Sequence, residues 1–241
     1  MTPIPLHWNG PSQLTPLTPG AIHLWRASLD LPLDHLCERS RLLSADEIER
    51  ADRLRSSARH SFVAARSTLR LILSQYLLCH PGAIDFAYSD RGKPYLNIAQ
   101  VNIAQVSAPL QFNLSHSQNV AVYALTTEGA IGVDIERIRP VPKLARLARR
   151  YFSPQERASL EALSGLQRLE HFFSLWTQKE AYVKATGEGV YKLAIAAQPP
   201  TWFLRHIEIE PDYVAAVTAS AAISDLRLFY WESLERRGCR S

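Results

Sequence analysis

Ile131-Gly132-Val133-Asp134-Ile135-Glu136 alternates apolar and polar side chains with a period of two. As an extended strand it buries Ile131, Val133 and Ile135 and turns Asp134 and Glu136 together onto its other face. Two carboxylates about 5 Å apart repel by roughly 3 kcal/mol at an effective dielectric of about 20, so an enclosed pair needs a cation, a proton or solvent. Oxygen ligands of this kind suit a hard divalent ion.

Further along, Trp176-Thr-Gln-Lys179-Glu180-Ala181-Tyr-Val-Lys184 has the spacing of a helix. Leu169, Phe172, Phe173 and Trp176 form an apolar stripe whose next turns bring in Glu180 and then Lys184. A carboxylate and an ammonium therefore stand at the inner end of a buried face.

Between these stretches and the amino terminus, a strand is expected over Ala21 to Asp30. A capping box at Ser44 and Glu47 opens one helix, and a longer helix runs from about Ala58 to Leu78. A turn follows at Ser89-Asp-Arg-Gly-Lys93-Pro94. Phe112-Asn113-Leu-Ser115-His116-Ser117 leads into the apolar run Val120 to Leu125, and Glu128-Gly129 is read as turning that run back into the Asp134 strand as a hairpin. Asn97-Ile-Ala-Gln-Val101 is duplicated at 102–106 and reads as a surface-loop insertion. The second half carries a basic helix (Leu144 to Tyr151), a helix opened by Ser153-Pro154-Gln-Glu156, the Trp176 helix ending near Gly187, and strands at 202–210, 213–219 and 226–231. Helices and strands alternate loosely, which is an α+β pattern.

The 241 residues, 46% hydrophobic and 21% charged, suit a soluble globular protein. No run reaches the roughly 20 apolar residues of a membrane span, and the start has neither the basic nor the apolar region of a leader, so residence in the cytoplasm is expected. Cys37, Cys79 and Cys239 are far apart and fit neither a disulfide framework nor a metal-ligand spacing. A net charge of +4 favours anionic partners. Scattered arginines and the lack of a binding module argue against nucleic acid. Only five of the 27 basic residues are lysines, and Lys93, Lys179 and Lys184 fall in the stretches above, where a compact ammonium is wanted.

Taken singly these features are weak. Together they supply oxygen ligands for a cation, lysines and a His-Ser pair for phosphate, and a carboxylate able to act as a base. That inventory points to transfer of a phosphoryl-type group. A metal-dependent hydrolase of pyrophosphate-containing small molecules fits it as well, with water as acceptor. No Walker or dinucleotide-binding glycine loop is present.

Gly92-Lys93-Pro94, Phe112-Asn113-x-Ser115-His116-Ser117, Gly132-Val-Asp134-Ile-Glu136, Phe152-Ser153 with Glu156, and Trp176-x-x-Lys179-Glu180-Ala181 with Lys184 occur in that order. In this the chain resembles the 4′-phosphopantetheinyl transferases of the Sfp type over most of its length. The resemblance implies transfer of the phosphopantetheine arm of coenzyme A to a serine of an acyl or peptidyl carrier protein, with Mg²⁺ or, with the same ligands, Mn²⁺. It also implies a monomer of two similar α+β halves related by a pseudo-two-fold. The half over 1–126 would hold the coenzyme nucleotide, and the half over 127–241 the metal and the catalytic groups. Asp134, Glu136 and Glu180 would bind the cation. Glu180 would take the proton of the attacking serine, and Lys184 would neutralise phosphate charge. Arg50, Arg66, Lys93, Asn113, Ser115 and His116 would line the coenzyme site. The chain departs from the family in placing acidic residues at Glu47 and Glu188, where basic ones are common. Lys143, Arg146, Arg149 and Arg150 on the basic helix are a candidate docking face for an acidic carrier.

Overall fold

The structure is a computed structural model and describes residues 7–97, 109–188, 199 and 201–231. Its elements, in chain order, are β1 (Trp8–Asn9), β2 (Ala21–Ser28), α1 (Leu33–Ser40), α2 (Ala45–Asp52), α3 (Ser56–Leu77), β3 (Phe86–Tyr88) and β4 (Pro94–Leu96). They are followed by β5 (Gln111–Ser117), β6 (Val120–Thr126), β7 (Ile131–Arg137), α4 (Leu144–Tyr151), α5 (Pro154–Glu161) and α6 (Gly165–Thr186), and then by β8 (Phe203–Glu208), β9 (Tyr213–Ala219) and β10 (Asp225–Trp231). The fold is α+β, as the sequence pattern expects. Among the described residues no helix is long and apolar enough to cross a membrane.

Two sheets lie face to face, each backed by a 22-residue helix. Strand periodicity produces the layers, because successive side chains of a strand serve opposite faces. One face of the five-stranded sheet (order β1-β10-β2-β6-β5) packs Trp25, Phe112, Tyr123 and Leu125 against Val63, Leu69, Ile72 and Leu73 of α3. Its other face sets Ile22, Leu24, Val122 and Ala124 against Ile131, Val133 and Ile135 of the three-stranded sheet β7-β9-β8. The outer face of that second sheet carries α6. A third apolar cluster, with Phe152, Leu160, Phe172 and Phe173, roots α4 and α5 on the first half of α6.

One expectation needs correction. β7 does not return along β6: it pairs antiparallel with β9, Asp134 opposite Ala216. Gly129, at φ +69° and close against Ser220 and Ala221, sends the chain across to the second sheet. The last strand, β10, lies within the first sheet, parallel to β2 with Leu228 opposite Leu24. The duplicated segment lies outside the described residues beyond Asn97.

Candidate active site

β7 lies at one edge of its sheet, with β9 on one side only. On the open side, alternate residues of β5 provide the missing hydrogen-bond partners. Asn113 Oδ1 accepts from Val133 N at 2.9 Å, and Ser117 Oγ accepts from Arg137 N at 3.0 Å and donates to Glu136 at 3.1 Å. Between them, Ser115 Oγ donates to Asp134 Oδ1 at 2.8 Å. The Asn-x-Ser-x-Ser pattern thus joins the two sheets. Phe112, Leu114 and His116 necessarily face the other way, towards α3.

Gly132 sets the distance between β7 and α6. A Cβ there would lie 2.0 Å from Ala181 O and 2.6 Å from Ala185 N, so no side chain fits between strand and helix. This approach brings the last turns of α6 over Asp134. Lys184 Nζ reaches Asp134 Oδ1 at 2.6 Å and Ser115 Oγ at 2.8 Å. The other Asp134 oxygen, Oδ2, is buried without a hydrogen-bond partner. Burial raises the Asp134 pKa against the pull of Lys184 and Ser115. Glu180 is pushed up to about 7, first by burial and then by the charge of Asp134, with Lys184 opposing and Glu136 adding to the rise.

Lys179 has a different task. Its ammonium lies 3.2 Å from Glu156, whose carboxylate also accepts from Ser153 N at 2.6 Å in the capping box of α5. Ser153, Glu156 and Lys179 together fasten α5 to α6.

A cleft of about 350 Å³ opens between α3, the β3–β4 turn, β5 and the end of α6. Arg50, Phe62 and Arg66 form one wall, the β3–β4 turn from Arg91 to Pro94 a second, and Asn113, Leu114 and His116 of the β5 edge a third, while Glu180, Val183 and Lys184 close the end. Of the residues expected to serve the coenzyme, Arg50, Arg66, Lys93, Asn113, His116 and Lys184 line this cleft together. Ser115 does not line it, being turned to Asp134. His116 is held below its ordinary pKa by burial and then by Lys184. Arg91 and Phe62 line the cleft without having been singled out in the sequence. The position of Arg91 in the Gly-Lys-Pro turn was the available signal.

Arg66 reaches the cleft already engaged. Its Nε is 2.7 Å from Glu47 Oε1 in an ion pair off the hydrogen-bond axis, and its Nη2 donates to Tyr88 at 2.6 Å. Arg70, fully buried, donates to Glu47 Oε2 at 2.7 Å and to the carbonyls of Pro81 and Ile84. The acidic departure at Glu47 is therefore the counter-charge of two buried arginines.

The side chains around Asp134 fit a hard divalent cation in their chemistry. The carboxylates offer only oxygen ligands, and one buried oxygen of Asp134 is orphaned. As the side chains stand, no three His, Cys, Asp or Glu among the described residues form ligand geometry, and Lys184 is the cation on Asp134.

The family model described as the 4′-phosphopantetheinyl transferase superfamily matches residues 130–226, from the start of β7 into β10. The chain is 40% identical over 223 residues to the 4′-phosphopantetheinyl transferase HetI of Nostoc sp., covering 87% of this chain and 92% of that protein. It is 38% identical over 124 residues to the transferase AcpT of Salmonella typhimurium (52% of this chain, 59% of that one). With a 4′-phosphopantetheinyl transferase of Bacillus subtilis the figures are 28% over 166 residues, 67% and 69%. With a likeness to HetI that covers most of both proteins, the chain belongs to the 4′-phosphopantetheinyl transferase family.

Proposed function

We propose that this transferase moves the 4′-phosphopantetheine arm of coenzyme A to a serine hydroxyl of an acyl or peptidyl carrier protein, as an Sfp-type, Mg²⁺-dependent monomer of the cytoplasm. The half over 1–126 holds the nucleotide and the half over 127–241 carries out the chemistry. One observation supports this above the rest: Glu180 and Lys184, the latter 2.6 Å from Asp134 Oδ1, together close the end of the arginine-lined cleft. A carboxylate placed there can accept the proton of a hydroxyl brought into the cleft.

On this reading Arg50, Arg66 and His116 receive the phosphates of the coenzyme and leave its pyrophosphate beside Lys184. Glu180 takes the serine proton as the serine oxygen bonds to the phosphorus that carries the pantetheine arm. The P–O bond of the pyrophosphate bridge breaks, adenosine 3′,5′-bisphosphate departs, and Lys184 offsets its growing charge. Asp134 Oδ2, Glu136 and Glu180 are the oxygens that would hold Mg²⁺, which neutralises the diphosphate when bound. Ser115 keeps Asp134 and Lys184 in register.

Purified protein with Mg²⁺ and coenzyme A is expected to add one arm to an apo carrier protein, read by mass spectrometry. Asp134→Ala and Glu180→Ala should each abolish the addition while leaving the chain folded. Release of adenosine bisphosphate at the same rate without a carrier would replace the transferase reading with the hydrolase.

A further inference from the structure

Lys93 sits in the β3–β4 turn and lines the cleft, yet its ammonium is directed into the protein. Nζ donates to Lys184 O at 2.7 Å and to Ile131 O and Ala185 O at 3.3 Å each. An ammonium has three hydrogens, and three carbonyls take them. Two of these carbonyls belong to the last turn of α6, which has no partners within the helix, and a cation is favoured there by the helix dipole. The third precedes Gly132, where β7 touches the same turn. Two residues earlier in the turn, Arg91 donates to Gly187 O at 3.2 Å, and Gly187 N closes the helix on Val183 O at 2.9 Å. The turn of the first half thus grips the end of the helix that carries Glu180 and Lys184.

We infer that Lys93 is a positioning residue that fixes the C-terminal turn of α6, and with it Glu180 and Lys184, and is not a hydrogen-bonding ligand of the coenzyme phosphates. The kinetic consequence rests on the transferase reading; the structural consequence does not.

Lys93→Met is the test, measured by calorimetry with coenzyme A, by steady-state kinetics and by amide exchange over 183–187. Release of the helix end should lower kcat about tenfold or more, since small misplacements of reacting groups are costly. The Gly187 amide should exchange faster by about tenfold as the last turn opens locally. The dissociation constant of coenzyme A should stay within about twofold, whereas loss of a direct ammonium–phosphate bond would weaken it about tenfold or more. Weakening of that size overturns the inference whatever the exchange shows, and so does unchanged exchange. Lys93→Gln, which keeps two donors without the charge, decides the matter if the methionine variant does not fold. Should the wild type transfer no arm at all, the proposed function fails, while calorimetry and exchange still decide the role of Lys93.

Discussion

Each long helix carries a buried charged cluster, and the two clusters are built differently. On α3, one carboxylate, Glu47, stands between two guanidiniums, with Arg66 and Arg70 each at 2.7 Å. On α6 and β7, the single ammonium of Lys184 serves the carboxylates Asp134 and Glu180, and one Asp134 oxygen has no partner. Where two guanidiniums share one carboxylate the cluster is a structural clamp, and where two carboxylates share one ammonium an oxygen is left without a partner and a reactive site results. Burial first, and then the neighbouring Asp134 carboxylate, moves the Glu180 pKa towards neutrality.

The sharpest way to break this contrast is to remove the carboxylate that the two guanidiniums share. Glu47→Ala leaves two buried guanidiniums without a counter-charge and should cost about 3–5 kcal/mol in urea unfolding. A loss below about 1 kcal/mol would mean the clamp contributes little. Glu180→Gln should do the reverse: transfer falls on the order of a hundredfold or more, while thermal stability at pH 8 holds or rises because a repelled charge is gone. Gly132→Ala should cost about 1–3 kcal/mol by overpacking, since the new methyl meets backbone on both sides, and activity should fall with it as α6 shifts.

Acid sharpens the contrast further. His23, buried beside Tyr76 and Phe229, has its pKa lowered to about 4 by burial. The unfolded chain therefore binds this proton first, and stability is lost as pH falls from 6.5 towards 4. Glu180, raised to about 7 by burial, binds its proton first in the folded chain and adds stability as pH falls from 7 towards 4.5. Glu180→Gln removes only the second effect, so its melting temperature should drop more steeply on acidification than that of the wild type. Parallel curves would show that Glu180 is not raised. The smallest effect belongs to the exposed α4 face. Arg146→Glu with Arg149→Glu should slow arm transfer to the carrier several-fold with coenzyme affinity unchanged; equal effects on both would exclude docking there.

Most helices and strands were legible in the sequence because their periodicity and caps are local. Ser44 with Glu47 and Ser153 with Glu156 form capping boxes, and Gly187 ends α6 at φ +73°. Sheet membership was not legible, because β7 and β10 choose partners far away in sequence. At the site, strand spacing paired Asp134 with Glu136 and helix spacing paired Glu180 with Lys184, while the meeting of the two pairs was implied only by the family resemblance. The alternation of β5 already separates Ser115 from His116, although the family resemblance places both on the coenzyme. Glu47 read as an acidic oddity because its partners are a helix away.

The position of β10 between β1 and β2 also bears on biosynthesis. A ribosome delivers β2, β5 and β6 long before Asp225 emerges, so the first sheet stays open along β2 until residues 225–231 have been made. Nascent chains halted before that strand should expose a bare β2 edge and depend on chaperones, and truncation from the carboxyl end into β10 should damage the amino-terminal half first.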